Sequence, residues 1–302
     1  MNQGRSPFHR DHHLAPFIAV TAGIALFSVM DALMKSAAIA AGAYTAMLLR
    51  SIVGTALMTP VWRWREGAWP SRANMKLHAL RGAVSGAMAT SFFTGLVYLP
   101  MAEGIALSFI APLIALYLAA VMLGETIGGR AILASLLGLA GVAVIAAARL
   151  SAQTLGGNAA WGIGMILFSA VLYAWNLILQ RRQAQLAGPA EVALFQTVFV
   201  ALFLGLGAPW FAVLPPPRAL LDIALAAVLA MLSLMVISWG YGRAEAQALL
   251  PIEYTAFIWA AIMGWAMFGE ALTLPTIAGV ALIVIGCWIA APRKAHIEQT
   301  AL

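Results

Sequence analysis

The sequence holds a single cysteine, Cys287, so no disulfide can form within the chain. Charge is nearly as scarce. Asp, Glu, Lys and Arg make up 9% of the residues, against about 25% in an ordinary soluble domain. So few charges cannot cover a water-soluble fold of 302 residues. Also missing are a Walker A loop, a Gly-x-Ser-x-Gly elbow and the paired Cys/His spacings of a metal site. Their absence argues against an ATP-driven pump, a hydrolase and a metalloenzyme. No cofactor or metal is expected, and no repeated filter segment points to a channel.

What is present is apolar. Hydrophobic residues make up 63% of the chain and the mean hydropathy is +0.92. Unbroken apolar runs of about 18–23 residues recur, the length that carries a helix across a bilayer. They do not alternate and are too long for barrel strands. The chain therefore reads as an all-α polytopic membrane protein. Spans are predicted at 15–38, 42–62, 77–98, 101–123, 130–148, 159–179, 189–211, 219–241, 248–268 and 273–291. The basic start of span 1 and the small residues 36–43 after it imitate a cleavable signal peptide. Asp31 and Lys35 interrupt its apolar core, so the span is expected to stay.

The pattern is written twice. Residues 97–146 superpose on 242–291 without a gap at a shift of 145, and Gly124-Glu125 lands on Gly269-Glu270. Each copy is an apolar run, a break opened by Gly-Glu and a second apolar run. Only nine of the 50 positions are identical, so the placement of the polar break carries the inference of an internal duplication. A weaker match, Gly23–Ser28 on Gly164–Ser169 at a shift of 141, places Lys35 opposite Asn176. Ten spans then divide into repeats at 15–148 and 159–291, with tails at 1–14 and 292–302 and a linker at 149–158.

An odd number of spans per repeat inverts one half relative to the other, as in many secondary transporters. With the N-terminus inside, twelve Lys/Arg residues fall on the inner segments and only Arg149 and Arg218 outside. The positive-inside rule then puts both termini in the cytoplasm. The net charge of +6 describes a membrane face, so no nucleic-acid partner is invoked.

Arg81-Gly82, Pro112-Leu113, Leu123-Gly124-Glu125 and Gly141-Val142 in the first half, with Phe268-Gly269-Glu270 and Leu282–Gly286 in the second, give the chain a recognisable form. It resembles the drug/metabolite transporter superfamily, EamA type. The resemblance implies ten helices in two inverted five-helix repeats around a central cavity. It also implies a bacterial inner-membrane exporter of amino acids, notably aromatic ones, or of related metabolites. Multidrug cations and riboflavin-like, nucleobase or S-adenosylmethionine-like solutes stay open as cargo, as does a non-transporting scaffold or enzyme. The chain departs from the pattern at Phe257, which stands where the first half has Pro112, so a kink in span 9 would have to come from Pro251.

Ionisable groups inside spans cost about 2.5–3.5 kcal/mol each on insertion scales and need a reason. Asp31 and Lys35 are four apart on span 1 and either neutralise each other, with Lys35 snorkelling outward, or line a cavity mouth. Arg50 pairs with Asp31 or caps a carboxylate. Arg81 is expected at the headgroups, and His78 at the interface or as a titrating gate. Glu125 and Glu270 read as N-terminal caps of spans 5 and 10. Glu253 either pairs with Arg243 or water, or binds a substrate ammonium or proton. The resemblance makes Tyr98, Trp161, Trp175, Asn176, Trp239 and Tyr254 candidate walls of the cavity, with the interface belt as the alternative for several of the aromatics.

Overall fold

In hydrocarbon every backbone amide must find a partner within the protein, and helices meet that demand locally. The computed structural model describes residues 14–65, 67–123, 129–151, 158–243, 249 and 252–290. Their helices run α1 Ala15–Ala41, α2 Ala43–Arg65, α3 Arg72–Tyr98, α4 Met101–Ser108, α5 Ala111–Leu123 and α6 Gly129–Ser151 in the first half. The second half has α7 Ala159–Ala184, α8 Pro189–Phe211, α9 Pro217–Tyr241, α10 Ala256–Phe268 and α11 Leu274–Ala290. Five of the described helices are long and apolar enough to cross a membrane by length and composition. Several outrun the expected spans: α3 starts at Arg72 because the Ser71 side chain accepts the Asn74 N–H at 3.2 Å.

Span 4 is two helices, α4 and α5, interrupted at Phe109 and Ile110. Span 9 is interrupted at Tyr254 and Thr255, the same positions after a shift of 145. At both breaks the ladder tightens to i→i+3 bonds. Phe109 N–H donates to Ala106 at 3.2 Å, and Thr255 N–H donates to Ile252 at 2.9 Å. Pro112 occupies the first turn of α5, where a missing N–H costs little. Phe257 takes that register in α10, yet the break forms there too. A proline at the Pro112 register is therefore not required for the break. The kink expected from Pro251 lies outside the described residues.

The halves are intertwined. α1 packs along α9 and α3 along α7, while α2 crosses α8 and α6 crosses α11. Exchanging the halves maps the first two pairs onto each other and the last two onto themselves, as a two-fold relation requires. The rings of Phe109 and Tyr254, equivalent residues, meet edge to face with centroids 5.4 Å apart. Equivalent residues touch only close to the axis that relates them.

Cross-half hydroxyl bonds correct one expectation. The Ser233 hydroxyl donates to the Gly23 carbonyl at 2.7 Å, and Ser169 donates to Met88 at 2.8 Å. Met88 and Ser233 differ by 145, so Gly23 corresponds to Ser169, an offset of 146 that places Lys35 opposite Arg181. The offset of 141 matched small and apolar residues, which recur too often in this chain to hold a register.

Small residues let these crossings close. A Cβ on Gly141 would lie 2.4 Å from the Gly279 carbonyl oxygen, whereas a Cβ on Gly164 meets nothing within 4 Å. Gly141→Leu is expected to destabilise the α6–α11 crossing by about 1–3 kcal/mol or more, an overpacking cost, and Gly164→Ala to be near neutral. Thermal unfolding of the two variants in detergent checks the contrast; equal melting temperatures would refute it.

Candidate functional site

The Gly-Glu pair that marks each repeat has a structural reason in the second half. Gly269 ends α10 in the left-handed region at φ 65, a conformation that glycine adopts without strain. Gly269 N–H bonds back to the Trp265 carbonyl at 3.0 Å and Glu270 N–H to the Gly264 carbonyl at 3.1 Å, a Schellman-type turn closed one residue wider than the six-to-one pattern. The turn aims the Glu270 side chain into the bundle.

There it meets the first half. Lys35, 3% exposed near the end of α1, donates to the Glu270 carboxylate and, at 2.7 Å, to the Leu99 carbonyl. The second Glu270 oxygen accepts the Met101 N–H at 2.7 Å, the first amide of α4, where a negative charge also suits the helix dipole. The Phe268 ring lies 4.9 Å from Lys35 Nζ. Glu270 therefore caps α4 across the seam; the expectation that it caps span 10 is overturned, because the Schellman turn points it away from α11. Lys35 neither snorkels nor pairs with Asp31.

A cavity of about 440 Å³ opens beside this pair, lined by Lys35, Ile39, Tyr98, Asn158, Phe268 and Glu270 among others. The ends of α1, α3 and α10 and the start of α7 converge on it. A second ion pair, within the first half, stands close by. Glu103 in α4 accepts from Arg149 Nε at 2.8 Å and from the Thr276 hydroxyl at 3.2 Å, tying α4 to α6 and α11. Two ion pairs thus close this end.

The opposite end of α3 is a buried polar network. His78 is fully buried, its Nε2 2.9 Å from Glu191 and its Nδ1 against the Gln183 amide, with the ring stacked on Phe195 at 5.2 Å. Gln183 also accepts from Arg81, whose Nε donates to Asn176 at 3.2 Å; Ser85 donates to the same Asn176 oxygen at 2.9 Å. α3, α7 and α8 are fused by these bonds. Arg81 is 7% exposed and does not face headgroups, because the Asn176 and Gln183 oxygens draw it inward. His78 and Asn176 sit together here, away from the cavity beside Lys35.

Glu253 is exposed and accepts the Tyr241 hydroxyl at 2.5 Å. Tyr173, midway along α7 and 40% exposed, lies within electrostatic reach of both. The expected pairing with Arg243 is not found: Arg243 lies over the Trp239 ring at 4.2 Å and donates to the Trp239 carbonyl. Tyr254 sits at the helix break against Phe109. Trp161 and Trp175 are exposed on α7 and line neither the cavity nor the His78 network. Asp31, 4% exposed, and Arg50 face each other electrostatically, but among the described residues no ion pair within 4 Å joins them; Arg50 Nε has no hydrogen-bond partner. Glu125 lies outside the described residues. Among those residues no group of three His, Cys, Asp or Glu could hold a metal.

The site thus consists of side chains that bind and seal, placed where two equivalent halves meet. The EamA-like transporter family model matches twice, at residues 14–147 and 160–291, once on each half. The chain belongs to the EamA-like transporter family. It is accordingly a multi-pass membrane protein and a secondary transporter rather than an enzyme. Among its relatives is the pseudopaline exporter CntI of Pseudomonas aeruginosa, 26% identical over 266 residues, covering 86% of this chain and 90% of that one. An uncharacterized transporter of Helicobacter pylori is 25% identical over 278 residues, covering 88% and 91%. A crystal structure with 21% identity matches at a TM-score of 0.61 over 91% of this chain and 96% of that chain, a likeness of fold.

Sequence reasoning did not name Glu270, Glu103 or Arg149 as site residues. The repeated Gly-Glu was the available signal for the first. Nothing in the spacing of Glu103 and Arg149 marks them as partners. Glu103→Gln is expected to leave the half-buried Arg149 without its counter-charge and to destabilise the protein by about 1.5–3 kcal/mol, the range of a hydrogen bond to a charged group. Arg149→Met/Glu103→Leu, which removes both charges, should recover most of that loss. Unfolding in a denaturant series reports the difference; equal stability of the single and double variants would count against the pair.

Proposed function

We infer that the protein exports amino acids or related small metabolites across the bacterial inner membrane, by rocking its two halves about the Phe109–Tyr254 contact. One observation carries the reading: a cavity of about 440 Å³ walled by both halves, with an ion pair drawn from both among its lining. Its volume falls within the about 300–1,000 Å³ of small-molecule pockets. Ile39, Val97, Leu99 and Phe268 give it apolar walls, and Lys35, Asn158, Tyr98 and Glu270 give it a few convergent polar groups. A seam sealed by charge at one end, with exposed Glu253 and half-buried Tyr241 towards the other, suits alternating access between inverted halves.

The distribution of Lys and Arg puts both termini and the Tyr241–Glu253 end in the cytoplasm, so the Lys35 end faces outward. Glu253 is the residue for the substrate ammonium. Arg243 is occupied by Trp239, so the carboxylate keeps its charge for a cation, and Tyr241 and Tyr173 offer aromatic faces beside it. Tyr98, Trp239 and Tyr254 complete the walls along the path, whereas His78 and Asn176 hold α3, α7 and α8 in register. Similarity to the pseudopaline exporter supports export of a metabolite as the direction of flux.

Counterflow in proteoliposomes at two pH values, over amino acids, nucleosides and cationic drugs, tests the function. Saturable exchange of amino acids is expected, and its absence across the whole panel would overturn the reading. Glu253→Gln should lower the flux of ammonium-bearing substrates by about tenfold, the loss of roughly 1.4 kcal/mol; unchanged flux removes Glu253 from the site. Tags on both chain ends should react only from the cytoplasmic side, and ends that label on opposite sides would rule out this arrangement of spans.

A further inference from the structure

Lys35 and Glu270 stand where the two halves meet beneath the cavity, and each is held by one opposite charge and one backbone group. Lys35 Nζ has Glu270 and the Leu99 carbonyl at 2.7 Å; Glu270 has Lys35 and the Met101 N–H at 2.7 Å. The nearest walls are apolar, with Leu99 and Met101 fully or almost fully buried and the Phe268 ring 4.9 Å from the ammonium, and the next charges, Glu103 and Arg149, are paired with each other. Pulling the pair apart in such a place leaves two charges without partners, which the apolar shell penalises heavily.

We propose that Lys35 and Glu270 form a gate selective for zwitterions, opened by a substrate that brings a carboxylate and a protonated amine and gives one to each residue. The substrate carboxylate replaces Glu270 on Lys35 Nζ and on the Met101 N–H at the start of α4. The substrate ammonium replaces Lys35 on Glu270 and on the Leu99 carbonyl, with the Phe268 face beside it. Every charge then keeps a partner while the halves separate. A solute with only a positive charge satisfies Glu270 and strands Lys35; a solute with only a negative charge does the reverse. Specificity thus comes from what is left unpaired when the wrong solute arrives. The cavity above the pair gives the remainder of the substrate its room. This inference rests on the transport reading above and names its substrate class.

The test compares phenylalanine, phenylalanine amide and N-acetylphenylalanine in counterflow at about pH 6, where an α-amino group is protonated. Phenylalanine carries both charges, the amide only the positive one and the acetylated form only the negative one. Wild-type protein is expected to move phenylalanine at least about tenfold faster than either analogue. Glu270→Gln should slow phenylalanine and raise the relative flux of N-acetylphenylalanine, because Lys35 is then free for an anion. Lys35→Gln should shift preference the opposite way, towards the amide. A pair that served only as a latch would change all three fluxes alike. That outcome overturns the gate and leaves the transport reading standing, as does wild-type protein that moves none of the three but exchanges other solutes of the panel; exchange of nothing in the panel overturns both. Should a single variant fail to fold, Lys35→Arg/Glu270→Asp keeps an ion pair of the same polarity, which the Leu99 carbonyl and the Met101 N–H can still meet. It is expected to retain the preference for phenylalanine over both analogues, and equal passage of the three through that protein would refute the proposal.

Discussion

A charge held within the bundle of a membrane protein must be answered by an opposite charge or by aligned dipoles. Here the answers come from across the seam. Lys35 of the first half is matched by Glu270 of the second, and Glu270 is steadied by the first amide of α4. Glu103 of the first half is held by Arg149 from its own half and by Thr276 from the other. Either half alone would leave some of these groups exposed to hydrocarbon. The same contacts that hold the halves together also close the path between them, so assembly and sealing share one set of bonds.

That arrangement depends on where two helices break. The interruptions at Phe109 and Tyr254 fall at equivalent positions and meet at the axis. Each break shortens the helix that follows and lets Gly269 turn Glu270 inward. The close packing of Gly141 on Gly279 adds a second contact between the halves, with the Ile283 and Ile145 side chains seated against the two glycines.

The other end of α3 is built differently. His78, Arg81, Asn176, Gln183 and Glu191 bind three helices through directional hydrogen bonds between neutral and charged groups. Such a network is costly to break part by part, so it holds α3 of the first half firmly against α7 and α8 of the second. The exposed Glu253, bonded to Tyr241, by contrast leaves a charged group within reach of a solute. Rigid elements and an accessible carboxylate on one side, with a sealed ion pair on the other, give the two ends different tasks.

Much of this was legible before the structure. Apolar run lengths yield the helices, because a bilayer permits few other solutions. The 145-residue shift yields the duplicated halves and marks the Gly-Glu pair. Period and composition are local properties, and a sequence displays them directly. Partners are not local. Nothing in the spacing tells whether Lys35 turns to Asp31, four residues away on its own helix, or to Glu270 in the other half. Nor does it tell that Arg81 is drawn inward by two amide oxygens, or that Arg243 prefers Trp239 to Glu253. Those choices are made by which helices cross, at what register and how closely. Crossing is decided by the packing of all the helices together.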